Sequence, residues 1–410
     1  MKWEKFRHCP TKEATLKINT ERSVTAADKA VIKEDKMKSR ILIVLLAGLL
    51  MCSIPAAAKA KSEKPLVQMA ILLDTSGSMQ GLIEQAKTQL WKIVNEMALA
   101  KRGGESPRLE VGLYEYGKDS IPQSEGYLRM IVPLSEDLDR ISEELFKLRT
   151  NGGSEYCGKV IHSAANGLKW SKSNNDFKVI FIAGNEPFTQ GDLDYKTACK
   201  GAISKGIIVN TIFCGNYDTG IKTSWKDGAD LADGKYMNID HNRKIVHVPA
   251  PQDQDIIALG KALNKTYVAY GKGGAAKKER QKKQDKNALS MSEEAMVQRA
   301  AAKSTAQYKN VTWDMVDAEK EGKLKIEDIK EEDLPEEMKK MSVKERKEYI
   351  EKLKKEREEL QAKIQKLKKE RDKFVAEKRK KMAADNTLDA VMIQAIREQA
   401  KEKKFKFEKK

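Results

Sequence analysis

At 410 residues, the chain is long enough for more than one folded unit, because single hydrophobic cores rarely grow to that size. Charged residues make up 34% of it and aromatic residues only 6%, which disfavours a chain that is globular throughout and predicts an elongated or solvated part. The net charge of +17 suits an anionic partner, and the lack of any CxxC spacing among the 5 cysteines excludes the usual zinc and thioredoxin-like motifs.

The N-terminal region contains the pattern of an export signal. An apolar run, Ile41 to Leu50, follows a short basic stretch and precedes several alanines, which is the layout of a secretory signal peptide. Because a membrane-spanning helix needs roughly twenty apolar residues, we expect cleavage after Ala58 or Ala60 rather than anchoring. Residues 37–60 are assigned to the signal, and the mature chain is expected in a bacterial periplasm or cell envelope.

Two features ahead of the cleavage point leave alternatives open. Residues 1–36 are polar and lack a sustained period, so they are a disordered extension or lie upstream of a true start at Met37. Cys52 offers a site for lipid attachment. Met51 stands where such signals carry a small residue, so lipoprotein anchoring is the less favoured alternative.

From Pro65 to Gly271, short apolar runs alternate with helical patterns, which is typical of βα units around a mostly parallel sheet. The predicted strands are Leu66–Leu73, Arg108–Tyr116, Tyr127–Leu134, Lys178–Ala183, Ile207–Cys214 and Lys235–Ile239. The predicted helices are Gly81–Ala100, Asp137–Leu148, Cys157–Trp170, Tyr195–Lys205, Trp225–Ala232 and Asp253–Tyr270. A short connection joins the second and third strands, so we expect one antiparallel edge strand. The sequence therefore predicts a doubly wound, Rossmann-like α/β domain over residues 65–271.

Beyond this domain the composition changes, because Lys and Glu dominate and hydrophobicity falls. We predict a linker at residues 272–300 and an elongated helical region at residues 301–410. Two smaller apolar segments in that region, Tyr308–Val316 and Leu388–Ile396, are expected to dock against a long helix.

The long helix carries a heptad pattern over residues 343–375. The a and d positions hold Val343, Ile350, Leu353, Leu360, Ile364, Leu367 and Phe374. Such a stripe predicts a coiled-coil seam. Arg357 and Arg371 interrupt it at a positions, so self-association, hairpin packing and a charged helix that packs on a neighbour all stay open.

The loop after the first strand is rich in oxygen ligands. Asp74 supplies a carboxylate, and Ser76 and Ser78 supply hydroxyls, at the strand end where doubly wound sheets place their ligand crevices. Such ligands suit a hard cation. Gly77 is expected to let the loop curl so that both hydroxyls point inward. The alternative is that Asp74 satisfies loop amides without a metal.

The run Asp74-Thr75-Ser76-Gly77-Ser78 resembles the DxSxS element of the metal-ion-dependent adhesion site in von Willebrand factor type A domains. The order of strands and helices from Leu66 to Tyr270 is similar to that family too. The resemblance implies a binding domain that holds Mg²⁺, or Mn²⁺ or Ca²⁺, weakly. It also implies that the acidic side chain of a protein partner completes the metal site.

The resemblance extends to a second loop and weakens at a third. Gly152-Gly153-Ser154 looks like the family's Gly-Gly-Thr run, which implies Ser154 as a ligand, with Thr150 as the competing candidate. In the third loop Ala183-Gly184-Asn185 replaces the family's Thr-Asp-Gly, so Gly184 stands in the place of the usual acid.

Three further residues are candidates to replace the missing acid: Asn185, Glu186 and Glu155. Without such a replacement we expect lower affinity for the cation. Cys157 and Cys214 are both predicted on the ligand face, where a disulfide is one interpretation and three buried thiols, with Cys199, are the other.

These features predict an exported binding protein that recognises a protein partner through the metal site. The alternative is a structural or assembly protein in which the coiled coil is functional and the first domain is a metal-free scaffold. An enzyme is not expected, because no nucleophile and base can be paired. The lysines of the tail alternate with glutamates, so we expect no nucleic-acid partner and leave open a contact with an anionic envelope surface.

Overall fold

The computed structural model of the protein describes residues 64–242, 247–379 and 387–408. Its strands are β1 (Leu66–Asp74), β2 (Ala100–Lys101), β3 (Arg108–Tyr116), β4 (Leu128–Ser135), β5 (Phe177–Gly184), β6 (Ile208–Cys214), β7 (Tyr236–Ile239) and β8 (Lys406–Phe407). Six of them form the main sheet in the order β4-β3-β1-β5-β6-β7. β4 runs antiparallel to β3, and every other pairing in this sheet is parallel. The prediction of a mostly parallel sheet with one antiparallel edge strand is confirmed.

Helices cover both faces of this sheet. They are α1 (Gln80–Ala98), α2 (Leu138–Lys147), α3 (Cys157–Gly167), α4 (Tyr195–Ile203), α5 (Tyr217–Lys222), α6 (Trp225–Asp230), α7 (Asp253–Asn264), α8 (Gly274–Met291), α9 (Glu293–Lys303), α10 (Met315–Lys320), α11 (Glu336–Lys339), α12 (Val343–Arg379) and α13 (Leu388–Glu402). The sequence missed α5 and the short strands β2 and β8, and it placed the end of α7 too late. The helical character of the C-terminal region is confirmed.

The side chains of β1 point alternately to the two faces of the sheet, and each face has its own hydrophobic core. Met69, Ile71 and Leu73 pack with α1, α2 and α7, whereas Ala70 and Leu72 pack with α3 and α4. Successive side chains of a strand point to opposite faces, so a strand that is apolar at every position belongs in the middle of a covered sheet. This burial places β1, and with it the loop that follows, in the interior of the six-stranded sheet.

Residues 272–300, which the sequence predicts to be a linker, are helical and packed. α8 and α9 occupy this segment, and α9 contacts both α1 and α7. The approach of α9 to α7 is close, since a Cβ at Gly260 would lie only 2.8 Å from the Cβ of Ala300. Small residues and lysines give a linker-like composition, but here they provide close helix packing and a solvated face. Lys64–Lys410 accordingly cluster as one compact unit.

The heptad stripe of α12 faces its own chain. Ile350 and Leu353 join an apolar cluster with Val268 and Met315, and Ile364 is buried in the main core. The two arginines that interrupt the stripe are buried as well. Arg357 pairs with Asp314 and Asp317, and Arg371 pairs with Asp253. Apart from Val343, which is 42% exposed, the apolar positions of α12 are buried or partly buried within the chain, as expected for a charged helix that packs on a neighbour.

The C-terminal segment returns to the sheet instead of docking on α12. α13 packs against α1 and β7, and β8 pairs with β2. Asn210 of β6 and Gln399 of α13 exchange two hydrogen bonds, with distances of 2.9 and 2.7 Å. The predicted docking of residues 388–396 on the long helix is therefore wrong, because their apolar face is complementary to α1.

The three cysteines that the structure describes are free and buried. Cys214 belongs to the core on the α1 side, whereas Cys157 belongs to the core on the α3 side. The sheet separates the two cores, which is why the predicted bridge between Cys157 and Cys214 is absent. Burial raises the pKa of both thiols well above their usual range.

The predicted signal at residues 37–60, Cys52 and the extension at residues 1–36 lie outside the described residues. Within the part of the chain that the structure covers, no helix is long and apolar enough to cross a membrane.

Candidate metal site at the carboxyl edge of the sheet

Asp74 ends the central strand of the sheet. It is paired with Tyr116 across the ladder to β3, and its neighbour Leu73 is paired with Ala183 of β5. Because all three strands are parallel, their carboxyl ends meet at one edge, and the loops that follow them converge there. Asp74 is completely buried at this point of convergence.

The first loop is held in place by backbone contacts. One carboxylate oxygen of Asp74, Oδ1, accepts a hydrogen bond of 2.7 Å from the amide of Ser76. The amide of Thr75 donates to the carbonyl of Tyr116 at 2.8 Å, and the chain then turns into α1. Gly77 does not have a positive φ, and a Cβ there would meet its nearest neighbour at 4.0 Å, so the expected need for glycine in this loop is wrong.

Three oxygens around this loop are buried without any hydrogen-bond partner in the described structure: Asp74 Oδ2, Ser76 Oγ and Asn185 Oδ1. A buried polar atom without a partner costs about 1–3 kcal/mol, so native proteins rarely leave several together. A carboxylate, a hydroxyl and an amide oxygen are also the ligands that a hard cation takes. The residues present therefore fit a divalent metal ion.

Ser78 and Asn185 connect the first loop to the third. The amide nitrogen of Asn185 lies 3.2 Å from the hydroxyl oxygen of Ser78, which is exposed at the rim of the site. Ser78 therefore stands on the side from which solvent or a partner approaches. Asn185 thus lies beside the first loop, and its side-chain oxygen has no hydrogen-bond partner there.

The second loop passes beside the first. The amide of Asn151 donates to the carbonyl of Thr75 at 2.9 Å, and a Cβ at Gly153 would lie 2.7 Å from the backbone of Gly117. Thr150, one candidate ligand, already donates its hydroxyl proton to Gln80 at 3.3 Å. Ser154 makes no side-chain hydrogen bond within the described residues. Ser154 stays the predicted ligand of this loop.

The third loop lacks its acid for a steric reason. A Cβ at Gly184 would lie 2.4 Å from the hydroxyl oxygen of Tyr116 and 2.9 Å from Asp74 Oδ2. Tyr116 is completely buried, and its hydroxyl donates to the carbonyl of Ala183 at 3.0 Å. The hydroxyl of Tyr116 thus fills the space that a carboxylate at position 184 would need. No local pattern in the sequence reveals this contact, because the two residues lie on different strands.

Two further acids, Glu155 and Glu186, lie around Asp74. Burial raises the pKa of Asp74 to about 7, and the negative charge of Glu186 adds to this, while the amides of Ser76 and Asn185 oppose it. Burial and the charges of Asp74 and Glu186 likewise raise the pKa of Glu155 to about 7. The Ser76 hydroxyl is near enough to both carboxyls to lower their pKa values, although it forms no hydrogen bond of ordinary geometry with either.

The described residues contain no group of three or more His, Cys, Asp or Glu side chains arranged to hold a metal ion. A cation here would therefore depend on hydroxyl and amide oxygens beside the carboxylates. That requirement matches the serine-rich character of the first loop.

The part of the chain that carries these loops is similar to a known family of domains. Residues 68–220 match the family model of the von Willebrand factor type A domain, a span that includes most of β1 and all three loops. Among curated proteins, the chain is similar to dipeptidyl-peptidase 5 of Trichophyton equinum and of Trichophyton tonsurans, each 30% identical over 128 residues. These matches cover 28% of this chain and 17% of each peptidase, so the chain spans less than a fifth of the relatives' length.

Solved structures with similar folds include BatB from Bacteroides thetaiotaomicron, at 17% identity and a TM-score of 0.33, over 42% of this chain and 90% of that one. The SpRpn10 VWA domain is 15% identical with a TM-score of 0.33, over 44% of this chain and 100% of that one. Proximal thread matrix protein 1 from the mussel byssus, with a zinc-occupied MIDAS motif, is 13% identical with a TM-score of 0.33. That match covers 43% of this chain and 42% of the mussel protein.

Proposed function

We propose that the chain is an exported binding protein that recognises a protein partner through a divalent cation at the end of β1. Asp74, Ser76, Ser78 and Ser154 would hold the cation, with Thr150, Asn185, Glu186 and Glu155 as further candidates. The observation that carries the proposal is the pair of buried atoms without partners, Asp74 Oδ2 and Ser76 Oγ.

Mg²⁺ is the cation that such a site suits best, and Mn²⁺ and Ca²⁺ are close alternatives, because all three prefer oxygen ligands. When bound, the cation would supply positive charge at the rim of the sheet, where a carboxylate of the partner can complete its coordination. Ser78 is exposed and Asp74 is buried, so the site has a protein side and an open side. Most of the full chain's net charge of +17 lies after the predicted cleavage point, and it adds a long-range attraction for an acidic partner.

Export is supported by the apolar run Ile41–Leu50 and its flanking residues. An envelope location would also bring the basic surface of the chain near anionic polymers or lipid headgroups. We retain that contact as a secondary part of the proposal, and lipid attachment at Cys52 as the less favoured form of export.

A structural or assembly role is the second candidate function. The absence of an acid at Gly184 favours it, because fewer carboxylates weaken any cation site. The covered stripe of α12 opposes it, since self-association through residues 343–375 would need Ile350, Leu353 and Ile364, which are buried within the chain.

A catalytic role is not part of the proposal. The thiols of Cys157, Cys199 and Cys214 are buried, and burial raises their pKa values, so they are poorly suited to act as nucleophiles. A short match to a peptidase does not change this.

The test is capture of the partner from an envelope extract by the immobilised protein, followed by purification of the captured protein and a binding titration. We expect EDTA and Asp74→Ala each to abolish binding that occurs in Mg²⁺. Asp192→Asn, which removes an exposed carboxylate from the same edge of the sheet, should leave it intact. Binding that is equal in Mg²⁺ and EDTA would rule out the metal-dependent function.

A further inference from the structure

The space around Asp74 is closed on one side and open on the other. On the β5 side, the hydroxyl of Tyr116 occupies the position that a side chain at Gly184 would take. That hydroxyl is fixed by its hydrogen bond to Ala183, so the third loop cannot supply a carboxylate without displacing a buried tyrosine. Any second acid of the site must come from elsewhere.

Gly117, directly after β3, lies between the side chains of Asp74 and Glu155 and contacts both closely. A Cβ at Gly117 would lie 2.9 Å from Asp74 Oδ1 and also 2.9 Å from Glu155 Cγ. Both acids therefore approach the same point, and any larger residue at position 117 would push between them. The φ of +75° at Gly117 independently favours glycine there.

Glu155 is buried and held in position. Only 6% of its surface is exposed, and its amide donates to the side-chain oxygen of Gln190 at 3.1 Å. The side-chain nitrogen of Gln190 lies 3.5 Å from a carboxylate oxygen of Glu186, which ties the second loop to the third. The position of Glu155 beside Asp74 is thus built into the fold.

Neither Asp74 nor Glu155 forms an ion pair within the described residues. Lys118, next to Gly117, and Arg129 of β4 both pair with a different buried acid, Glu115. Two buried carboxyls without a counter-charge are unfavourable for a protein on its own, whereas a divalent cation would neutralise both.

Building on the proposed cation site, we propose that Glu155 supplies its second carboxylate, in place of the acid that Gly184 lacks. Asp74 Oδ2 and Ser76 Oγ, both buried and unpartnered, mark the space that the cation would share with Glu155. In this arrangement the second acid comes from the loop before α3 and not from the loop after β5. Tyr116 blocks a side chain at position 184, and Gly117 leaves room between Asp74 and Glu155.

The experiment is titration of Mn²⁺ into the purified protein at pH 8, with free Mn²⁺ followed by electron paramagnetic resonance. We expect Asp74→Asn to abolish binding and Glu155→Gln to weaken it by on the order of tenfold or more, because affinity follows the number of charged ligands. Asp192→Asn is the control. It removes one negative charge from an exposed position at the same edge of the sheet and should change affinity by no more than about threefold.

Thermal melting separates a ligand from a structural residue. In EDTA, Glu155→Gln should melt at the same temperature as the wild type or higher, because a buried charge is removed, and Mn²⁺ should stabilise it less. A lower melting temperature in EDTA with an undiminished Mn²⁺ shift would assign Glu155 a structural role and overturn the inference.

The outcomes of the titration are also distinguishable. Wild-type affinity in Glu155→Gln, or a loss in Asp192→Asn as large as in Glu155→Gln, would overturn the role of Glu155 while leaving the cation site standing. No Mn²⁺ binding by the wild type would overturn the proposed function itself.

Discussion

Asp74 is completely buried, and within the described residues no basic side chain pairs with it. Its Oδ1 accepts a hydrogen bond of 2.7 Å from the amide of Ser76, and its Oδ2 forms no hydrogen bond of ordinary geometry within the described residues. Burial costs the charged form more than Ser76 and the amide of Asn185 return, so the pKa rises to about 7. A cation at the unpartnered oxygen would reverse the balance, because it stabilises the charged form directly.

This balance predicts how metal binding depends on pH. The pKa values of Asp74 and Glu155 are about 7 in the folded protein against usual values of 3.8 and 4.5, so the metal-free folded state binds more protons than the unfolded state. Its free energy of unfolding should therefore fall as pH rises from about 4 to about 7. Because the proposed cation would bind the charged forms of both carboxylates, Mg²⁺ should raise the melting temperature more at pH 8 than at pH 5.5.

Scanning calorimetry at the two pH values, with and without Mg²⁺, measures this dependence. Asp74→Asn is the control and should show no Mg²⁺ shift at either pH. Equal shifts at both pH values in the wild type would contradict the prediction.

The sequence predicts the first loop of the site but not its surroundings. Asp74, Ser76 and Ser78 are adjacent in the chain, so one motif at a strand end is enough to find them. Tyr116 and Gly117 act across the sheet, on Gly184 and Glu155, and their effect depends on how closely three loops approach. Such tertiary contacts leave no periodic signal in a single sequence.

At the scale of elements, α12 shows how a correct pattern can have an unexpected partner. The heptad spacing predicts a long helix with an apolar stripe, and the helix spans Val343–Arg379. The stripe does not specify what covers it. The two arginines in the stripe indicate what covers it, because a buried arginine needs an acidic partner. Those partners are Asp314, Asp317 and Asp253 of the same chain.

Arg357 offers the sharpest test of how α12 docks. It contacts Asp314 at 2.6 Å and Asp317 at 2.9 Å, donates to the hydroxyl of Thr266 at 3.0 Å, and lies 4.1 Å above the ring of Tyr267. Removing one partner of a buried ion pair typically costs about 3–5 kcal/mol, because the remaining charges are left buried. We expect Arg357→Ala to lower the free energy of unfolding by about that amount.

Urea denaturation measures this loss. Lys363→Ala removes an exposed charge from the same helix and should change stability by no more than about 0.5 kcal/mol. A similarly small effect of Arg357→Ala would mean that α12 does not dock through this ion pair.

At the scale of the whole molecule, α1 joins the candidate site to the C-terminal region. α1 begins at Gln80, directly after the first loop. It packs against α9 and α13, which belong to the C-terminal region. Arg299 of α9 is completely buried beside it, 4.7 Å from the ring of Trp91 and paired with Asp139. The low aromatic content and high charge suggested a separate, solvated tail, because composition does not record which face of a charged helix is buried.

A chain that ends at Gly271 should therefore fail to fold. Leu90, Trp91, Ile93, Val94 and Met97 of α1 belong to a core that they share with residues of α9 and α13. Removing those helices exposes part of this core, at about 1.5–3 kcal/mol for each side chain that becomes exposed. A few such losses are comparable with the stability of a typical domain, about 5–15 kcal/mol.

Circular dichroism and urea denaturation of the shortened chain test this expectation, with a chain that lacks only residues 1–60 as the control. The control should unfold cooperatively, and the chain ending at Gly271 should be insoluble or show no cooperative transition. A soluble, cooperatively folded product would instead make residues 65–271 an independent domain.

The most direct test of the cation site is the anomalous difference map of a crystal soaked in Mn²⁺. A single peak is expected at the carboxyl end of β1, within about 2.0–2.6 Å of a carboxylate oxygen of Asp74 and the hydroxyl of Ser76. A map with no peak there, at Mn²⁺ concentrations that occupy other sites on the protein, would contradict the metal-dependent function.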